Sequence, residues 1–142
     1  MKPDVQAARI AVDAHPNDIT HRLDLARTLM ETAWFDPGTT WKANYEEAAA
    51  ILESLLTIEP DNVVALVNLG VALSDQGFHA RALEYYRRAE SLDWVDGNLE
   101  FNIGVALVNL EDDDSGSRHF QKATIQSDHP DTIRAYFDPH AH

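Results

Sequence analysis

The fold is decided by a six-residue stretch that occurs twice. Residues 68–73 read NLGVAL and residues 102–107 read NIGVAL, so five of the six positions are identical and one exchanges leucine for isoleucine. The two copies begin 34 residues apart. Tyr86 and Phe120 show the same spacing, and each is followed three positions later by alanine. Self-similarity at a fixed period of this size indicates a protein built from repeated supersecondary units.

Inside each copy the apolar residues follow the spacing of a helix. Leu69 and Gly70 lie four and three positions before Leu73, so the three residues share one helical face. A glycine inside a helix costs about 1 kcal/mol relative to alanine. Its recurrence as Gly104 therefore indicates a close helix contact that offsets this cost.

The period and its residues resemble the tetratricopeptide repeat (TPR) family. That family has Leu-Gly in the first helix of a unit, and alanine, an aromatic residue and alanine in the second. Leu69-Gly70 followed by Ala82, Tyr86 and Ala89 matches this pattern. The resemblance implies an all-α fold: a right-handed superhelical solenoid of antiparallel helix pairs, with about three TPR units plus flanking helices.

One TPR-like domain, residues 1–142, accommodates this organisation. Pro16 and Pro60 occupy equivalent positions but lie 44 residues apart, which predicts a ten-residue insertion near 33–44. The predicted parts are an N-terminal half-repeat helix at 4–14, repeat 1 at 18–60, repeat 2 at 61–94, repeat 3 at 97–128, a closing helix at 131–137 and a tail at 138–142.

In the TPR family the first helices of the units line a concave groove that holds partner peptides. By register, the resemblance assigns this groove to Leu23, Asp24, Arg27, Val67, Asn68, Val71, Asp75, Asn98, Phe101, Asn102, Val105, Val108 and Asn109. Asn68 and Asn102 form a ladder with one amide per repeat. An amide both donates and accepts, so the ladder is expected either to bind a peptide backbone or to brace neighbouring helices.

Five of these residues are apolar, and we expect them to be exposed in an empty groove: Val67, Val71, Phe101, Val105 and Val108. An exposed apolar patch marks a binding site. Three occupants fit it: a partner protein, the chain's own Tyr136-Phe137, or a second copy of the chain. The insertion adds Trp34, Phe35 and Trp41, which form either a second contact surface or a cover over the first helix pair.

The composition restricts the partners. Net charge is −13, from 24 acidic and 11 basic residues, and such a surface repels nucleic acid and anionic membranes. A neutral or basic protein fits better. The chain has no cysteine and no apolar run of about 18 residues, and a cytoplasmic location is expected. We predict no cofactor and no metal site, and His140 and His142 are expected to lie in a solvated tail.

No phosphate-binding loop, nucleophile elbow or zinc-protease motif occurs in the sequence. The sequence therefore predicts a non-enzymatic scaffold or adaptor that binds a peptide or helix of another protein. A chaperone for hydrophobic clients is a narrower form of this prediction. The alternative is a self-associating structural module, a homodimer for example, in which a second copy fills the groove or covers the terminal helices.

Overall fold

A computed structural model describes residues 3–35, 38 and 40–136. This part of the chain contains helices and no strand. The helices are α1 (Val5–Ala14), α2 (Ile19–Phe35), α3 (Trp41–Ile58), α4 (Val63–Ser74), α5 (His79–Ser91), α6 (Gly97–Asn109) and α7 (Asp113–Ile125).

The helices pack in sequential order. The most extensive contacts join α2 to α3, α4 to α5 and α6 to α7, and weaker contacts join each pair to the next. Helix α1 packs on α2. The fold is an all-α solenoid of helix pairs, as the sequence predicted, and each predicted repeat contains one pair. Among the described residues, no helix combines the length and apolar character needed to cross a bilayer.

Short polar side chains cap the N-termini of α1, α4, α6 and α7, and those of α4 and α6 lie near the candidate site. The Asn62 side-chain oxygen accepts a hydrogen bond from the Ala65 N–H at 3.0 Å. The Asp96 carboxylate accepts one from the Asn98 N–H at 2.9 Å. Both residues cap otherwise unpaired N–H groups at helix N-termini, and Asp96 also places the start of α6 next to the C-terminal part of the chain.

The extra residues of the first repeat lengthen its two helices. Helices α2 and α3 have 17 and 18 residues, against 12 and 13 in α4 and α5. Trp34 and Phe35 therefore lie on the last turn of α2, and Trp41 begins α3. Positions 36, 37 and 39, between the helices, lie outside the described residues.

The predicted closing helix at 131–137 is wrong for its described part. Residues 131–136 contain no helix. We name residues 129–136 the C-terminal segment. Its backbone groups bond to side chains of α4 and α6 instead of to one another, and so short a helix would be unstable alone. Phe137 and the predicted tail at 138–142 lie outside the described residues.

Candidate peptide-binding site

The asparagine ladder binds the backbone of the C-terminal segment. The Asn68 side-chain nitrogen donates to the Asp131 carbonyl at 3.0 Å, and its oxygen accepts from the Ile133 N–H at 3.1 Å. One repeat later, Asn102 donates to the Ile133 carbonyl at 2.8 Å and accepts from the Ala135 N–H at 2.7 Å. Each amide thus pairs with a carbonyl and the N–H two residues further on, which is the pairing pattern of an extended strand.

A third amide binds the segment between these two. The Asn98 side-chain nitrogen donates to the Thr132 carbonyl at 3.0 Å, and its oxygen accepts from the Arg134 Nε at 2.9 Å. The Arg134 guanidinium also lies 4.6 Å from the centre of the Phe101 ring, within the range of a cation–π interaction. We define the groove as the residues of α2, α4 and α6 that contact the segment, together with the flanking residues Asp75 and Asp96. The groove therefore has a position for a basic side chain, which Arg134 occupies here.

Charged groups hold the two ends of the segment. At one end the Asp96 carboxylate accepts from the His129 N–H at 3.0 Å and the Thr132 hydroxyl at 2.7 Å. Arg27 Nη1 lies 3.6 Å from an oxygen of Asp131. At the other end Asp75 Oδ1 accepts from the Tyr136 N–H at 2.8 Å.

The second oxygen of Asp75 accepts from the Tyr45 hydroxyl at 2.7 Å. Burial raises the pKa of the Asp75 carboxyl group to about 6, and the hydrogen bonds from Tyr45 and Tyr136 oppose part of that rise. Burial and the nearby Asp75 charge raise the pKa of the Tyr45 hydroxyl as well. The hydroxyl therefore keeps its proton and acts as a donor to Asp75 at neutral pH.

Three of the apolar residues expected to be exposed in an empty groove are covered in this structure, in which the C-terminal segment fills the groove. Val67, Val71 and Val105 are fully buried, and they belong to the same apolar cluster as Ala135 of the segment. Of the possible occupants, the chain's own C-terminus is the one found in the groove of this structure. Tyr136 contributes through its N–H and its ring, whereas Phe137 lies outside the described residues.

Close contacts between helices set the register of the groove. A β-carbon at Gly70 would overlap the ring of Tyr86, and one at Gly104 would lie 2.6 Å from the ring of Phe120. The predicted close packing at both glycines is therefore confirmed. It fixes α4 against α5 and α6 against α7 in the same way, which places Asn68 and Asn102 at equivalent points of successive units.

Residues 63–93 match the family model of the tetratricopeptide repeat. This chain contains a tetratricopeptide repeat. The match covers α4 and α5, the helix pair that carries Asn68, Gly70 and Tyr86, and confirms the resemblance seen in the sequence. The family match and the packing of the helices together describe a module of helical repeats.

Solved structures of MamA share the fold. MamA MSR-1 superposes with a TM-score of 0.63 at 20% identity, over 84% of this chain and 63% of the MamA chain. MamA AMB-1 gives a TM-score of 0.63 at 19% identity, over 84% of this chain and 65% of the other. The aligned part of this chain thus spans less than two thirds of those chains. The superposition shows a shared fold, and at this sequence identity the likeness concerns the fold alone.

Leu23, Asp24, Val108 and Asn109 were also predicted to line the groove, and the contacts described for them lie elsewhere. Leu23 is partly buried against the core. Asp24 accepts from Arg27 at 2.8 Å, and Asn109 donates to the Val105 carbonyl of its own helix at 2.8 Å. The groove placement of Val108 needs correction, because a β-carbon at Gly116 would lie 2.6 Å from Val108 Cγ2. Val108 thus lies at the contact of α6 with α7.

Trp34, one of the aromatic residues of the insertion, meets the end of the segment. The rings of Trp34 and Tyr136 lie 5.3 Å apart, and those of Trp41 and Tyr45 lie 6.2 Å apart. Trp34, Phe35 and Trp41 remain 48%, 63% and 37% exposed. Trp34 and Trp41 therefore line a surface that continues from the groove at Asp75.

Two groups of residues escaped the sequence analysis. The first is Asp96, whose bonds to His129 and Thr132 join segments more than 30 residues apart, an approach that no local pattern indicates. Glu90, Glu100 and His119 form the second group, with ligand atoms within 4.8 Å of one another. Arg87 pairs with Glu90 at 2.9 Å and His119 with Glu100 at 2.6 Å, so these side chains already have partners.

Proposed function

We propose that this protein is a non-enzymatic scaffold whose groove binds an extended peptide of a partner in place of its own C-terminal segment. The observation that carries the proposal is the set of four bonds from Asn68 and Asn102 to backbone groups. These bonds do not depend on the side chains of the bound residues. A different sequence in the same extended conformation can make all four.

Charge favours a neutral or basic partner. The chain has a net charge of −13, which attracts cationic segments over distances of about 8 Å at physiological salt. The groove offers a basic side chain the oxygen of Asn98, the ring of Phe101 and the Asp128 carboxylate, which lies 3.1 Å from Arg134. We therefore expect lysine or arginine in partner peptides at the position that Arg134 occupies.

The test uses the full chain and a synthetic peptide with the sequence of residues 129–136. In the chain, the double substitution Ile133→Pro/Ala135→Pro removes both N–H groups that the ladder accepts and should release the tethered segment. Titration calorimetry should then show peptide binding to the variant and at least about tenfold weaker apparent binding to the unsubstituted chain, since its own segment competes.

Two controls make the result specific. A peptide with proline at the same two positions should fail to bind the released variant, and further substitution of Asn68 and Asn102 by alanine should abolish binding of the original peptide. Circular dichroism checks that each variant is folded. Equal binding of both peptides would refute backbone recognition by the ladder. A mass that doubles with concentration in light scattering would instead support occupation of the groove by a second copy.

A further inference from the structure

The molecule has an aromatic pocket beside the end of the groove. Its volume is about 430 Å³, which is within the usual range for small-ligand sites. It draws on the last turn of α2, the first turns of α3, the end of α4 and the last described residue of the chain. The lining residues are Ala33, Trp34, Trp41, Tyr45, Asp75 and Tyr136.

A chain of hydrogen bonds fixes the carboxylate of this pocket. Tyr45 donates to Asp75, and the Tyr136 N–H donates to the other carboxylate oxygen. Across residues 3–35, 38 and 40–136 no cationic group forms an ion pair with Asp75. The pocket thus holds a fixed, partly buried negative charge without a counter-charge.

Four aromatic rings line the pocket together with the carboxylate, and the rings of each neighbouring pair are not parallel. The planes of Trp34 and Tyr136 are tilted by 55° and those of Trp41 and Tyr45 by 75°. Trp34, Trp41 and Tyr136 keep 48%, 37% and 54% of their surface exposed, so a ligand can reach them. Several aromatic side chains set at angles to one another can enclose a group that is roughly spherical.

We propose that this aromatic pocket binds an alkylated ammonium group, with the rings around its alkyl groups and Asp75 as its counter-charge. Aromatic faces attract cations within about 6 Å, and such recognition of alkylated ammonium is most effective when water is excluded. A hard metal ion would need several oxygen ligands, and the described lining offers one carboxylate. A neutral ligand would leave the carboxylate uncompensated.

The state of Asp75 is consistent with this ligand. Burial raises its pKa to about 6, so the group is mostly ionised at neutral pH although its surroundings disfavour the charge. A cation beside Asp75 would offset the free-energy cost of burying the carboxylate charge. Ligand binding should therefore lower the pKa of Asp75, and proton release on binding should be greatest near pH 6 and small at about pH 8.

The pocket is complete only while the C-terminal segment is docked, because Tyr136 supplies one of its walls. An ammonium ligand should consequently favour the docked segment and weaken the binding of a competing peptide. This antagonism rests on the proposed peptide-binding function, whereas the ammonium site itself does not. An experiment can therefore refute peptide binding, and the antagonism with it, without refuting ammonium binding.

The test compares choline with its uncharged carbon analogue, in which a tert-butyl group replaces the trimethylammonium group. Titration calorimetry of the full chain at about pH 8 should show choline binding at least about tenfold more tightly than the analogue, as expected for a site that recognises the charge. Asp75→Asn should weaken choline binding by about tenfold, and Trp34→Leu by about fivefold or more. Asp61→Asn, which removes an exposed charge elsewhere, should change nothing.

Neither variant should disturb the fold. Asparagine at position 75 can accept from the Tyr136 N–H with its oxygen and donate to the Tyr45 hydroxyl with its nitrogen, and Trp34 is half exposed. Equal affinity for choline and its analogue, or choline binding unaffected by Asp75→Asn, would overturn the proposal. Acetylated trimethyllysine methylamide separates the two sources of the group: tighter binding than choline indicates a modified side chain, and weaker binding indicates a free small molecule.

Discussion

The centre and the ends of the C-terminal segment are held by different chemistry. Uncharged amides of Asn68, Asn98 and Asn102 bind its centre. Charged side chains, Asp96 and Arg27 at one end and Asp75 at the other, bind its ends. The amide side chains carry no charge of their own, whereas the contact made by Asp75 depends on pH because burial raises the pKa of its carboxyl group to about 6. The centre of the segment is therefore bound by uncharged side chains, and the binding of its Tyr136 end depends on pH.

The repeat explains why the amides stop where they do. Asn68 and Asn102 occupy the same register in the second and third units, and the corresponding residue of the first unit is Asp24. A carboxylate cannot donate to a carbonyl, so Asp24 cannot replace the amide and instead holds Arg27 at 2.8 Å. Arg27 then reaches Asp131 at 3.6 Å. One change of residue type thus converts an amide contact into an electrostatic one.

The largest effect should follow the loss of the central amides. In Asn68→Ala/Asn102→Ala four hydrogen bonds to the segment disappear, each with a net worth of about 1 kcal/mol. The free energy of unfolding should fall by about 2–4 kcal/mol. Hydrogen exchange at the Ile133 and Ala135 amides should accelerate strongly, while exchange within α4–α7 changes little because the segment leaves without melting the helices.

Asn109→Ala is the matched control for this prediction. Among the residues that the structure describes, its amide bonds to a carbonyl of its own helix and not to the segment, so protection of Ile133 and Ala135 should be unchanged. If the double variant also kept its protection at these two amides, the charged ends would be sufficient to hold the segment.

The next largest effect should come from Asp75, which distinguishes an ionisable contact from an amide. Its pKa is raised from 3.8 to about 6 in the folded chain. The folded state therefore binds the proton more tightly than the unfolded state. The associated stability is complete below about pH 4 and is lost as the pH rises through 6. Relative to Asp75→Asn, the unsubstituted chain should lose about 2–3 kcal/mol of unfolding free energy over that window.

Urea denaturation at a series of pH values measures this difference. Tyr45 and Tyr86 face the carboxyl group and stay neutral throughout the window. His79, which bonds to the adjacent Ser74, is present in both proteins. Asp61→Asn should run parallel to the unsubstituted chain. Parallel profiles for Asp75→Asn as well would show that its carboxyl group is solvated.

The contrast between centre and ends also marks the limit of the sequence. The repeat predicted the helix pairs, a close helix contact at Gly70 and Gly104, and the asparagine ladder, because each follows from residues at fixed spacing. The C-terminal segment was mispredicted as a helix, since Asp131-Thr132 after Pro130 is a local start signal. Its extended form depends on side chains more than 30 residues away. Likewise, nothing near Tyr45 in the sequence indicates Asp75.

The smallest effect should follow Arg27→Gln, which removes the electrostatic contact of the first unit. Arg27 is partly exposed and shares its charge among Asp24, Glu31 and Asp131. Exposed ion pairs contribute about 0–1 kcal/mol, so the unfolding free energy should fall by less than about 1 kcal/mol. The difference should shrink further in about 1 M salt, where screening acts within about 3 Å. Denaturation at low and high salt measures it. A salt-independent loss above about 2 kcal/mol would mean that the first unit grips the segment as firmly as the amides do, and the division between centre and ends would not hold.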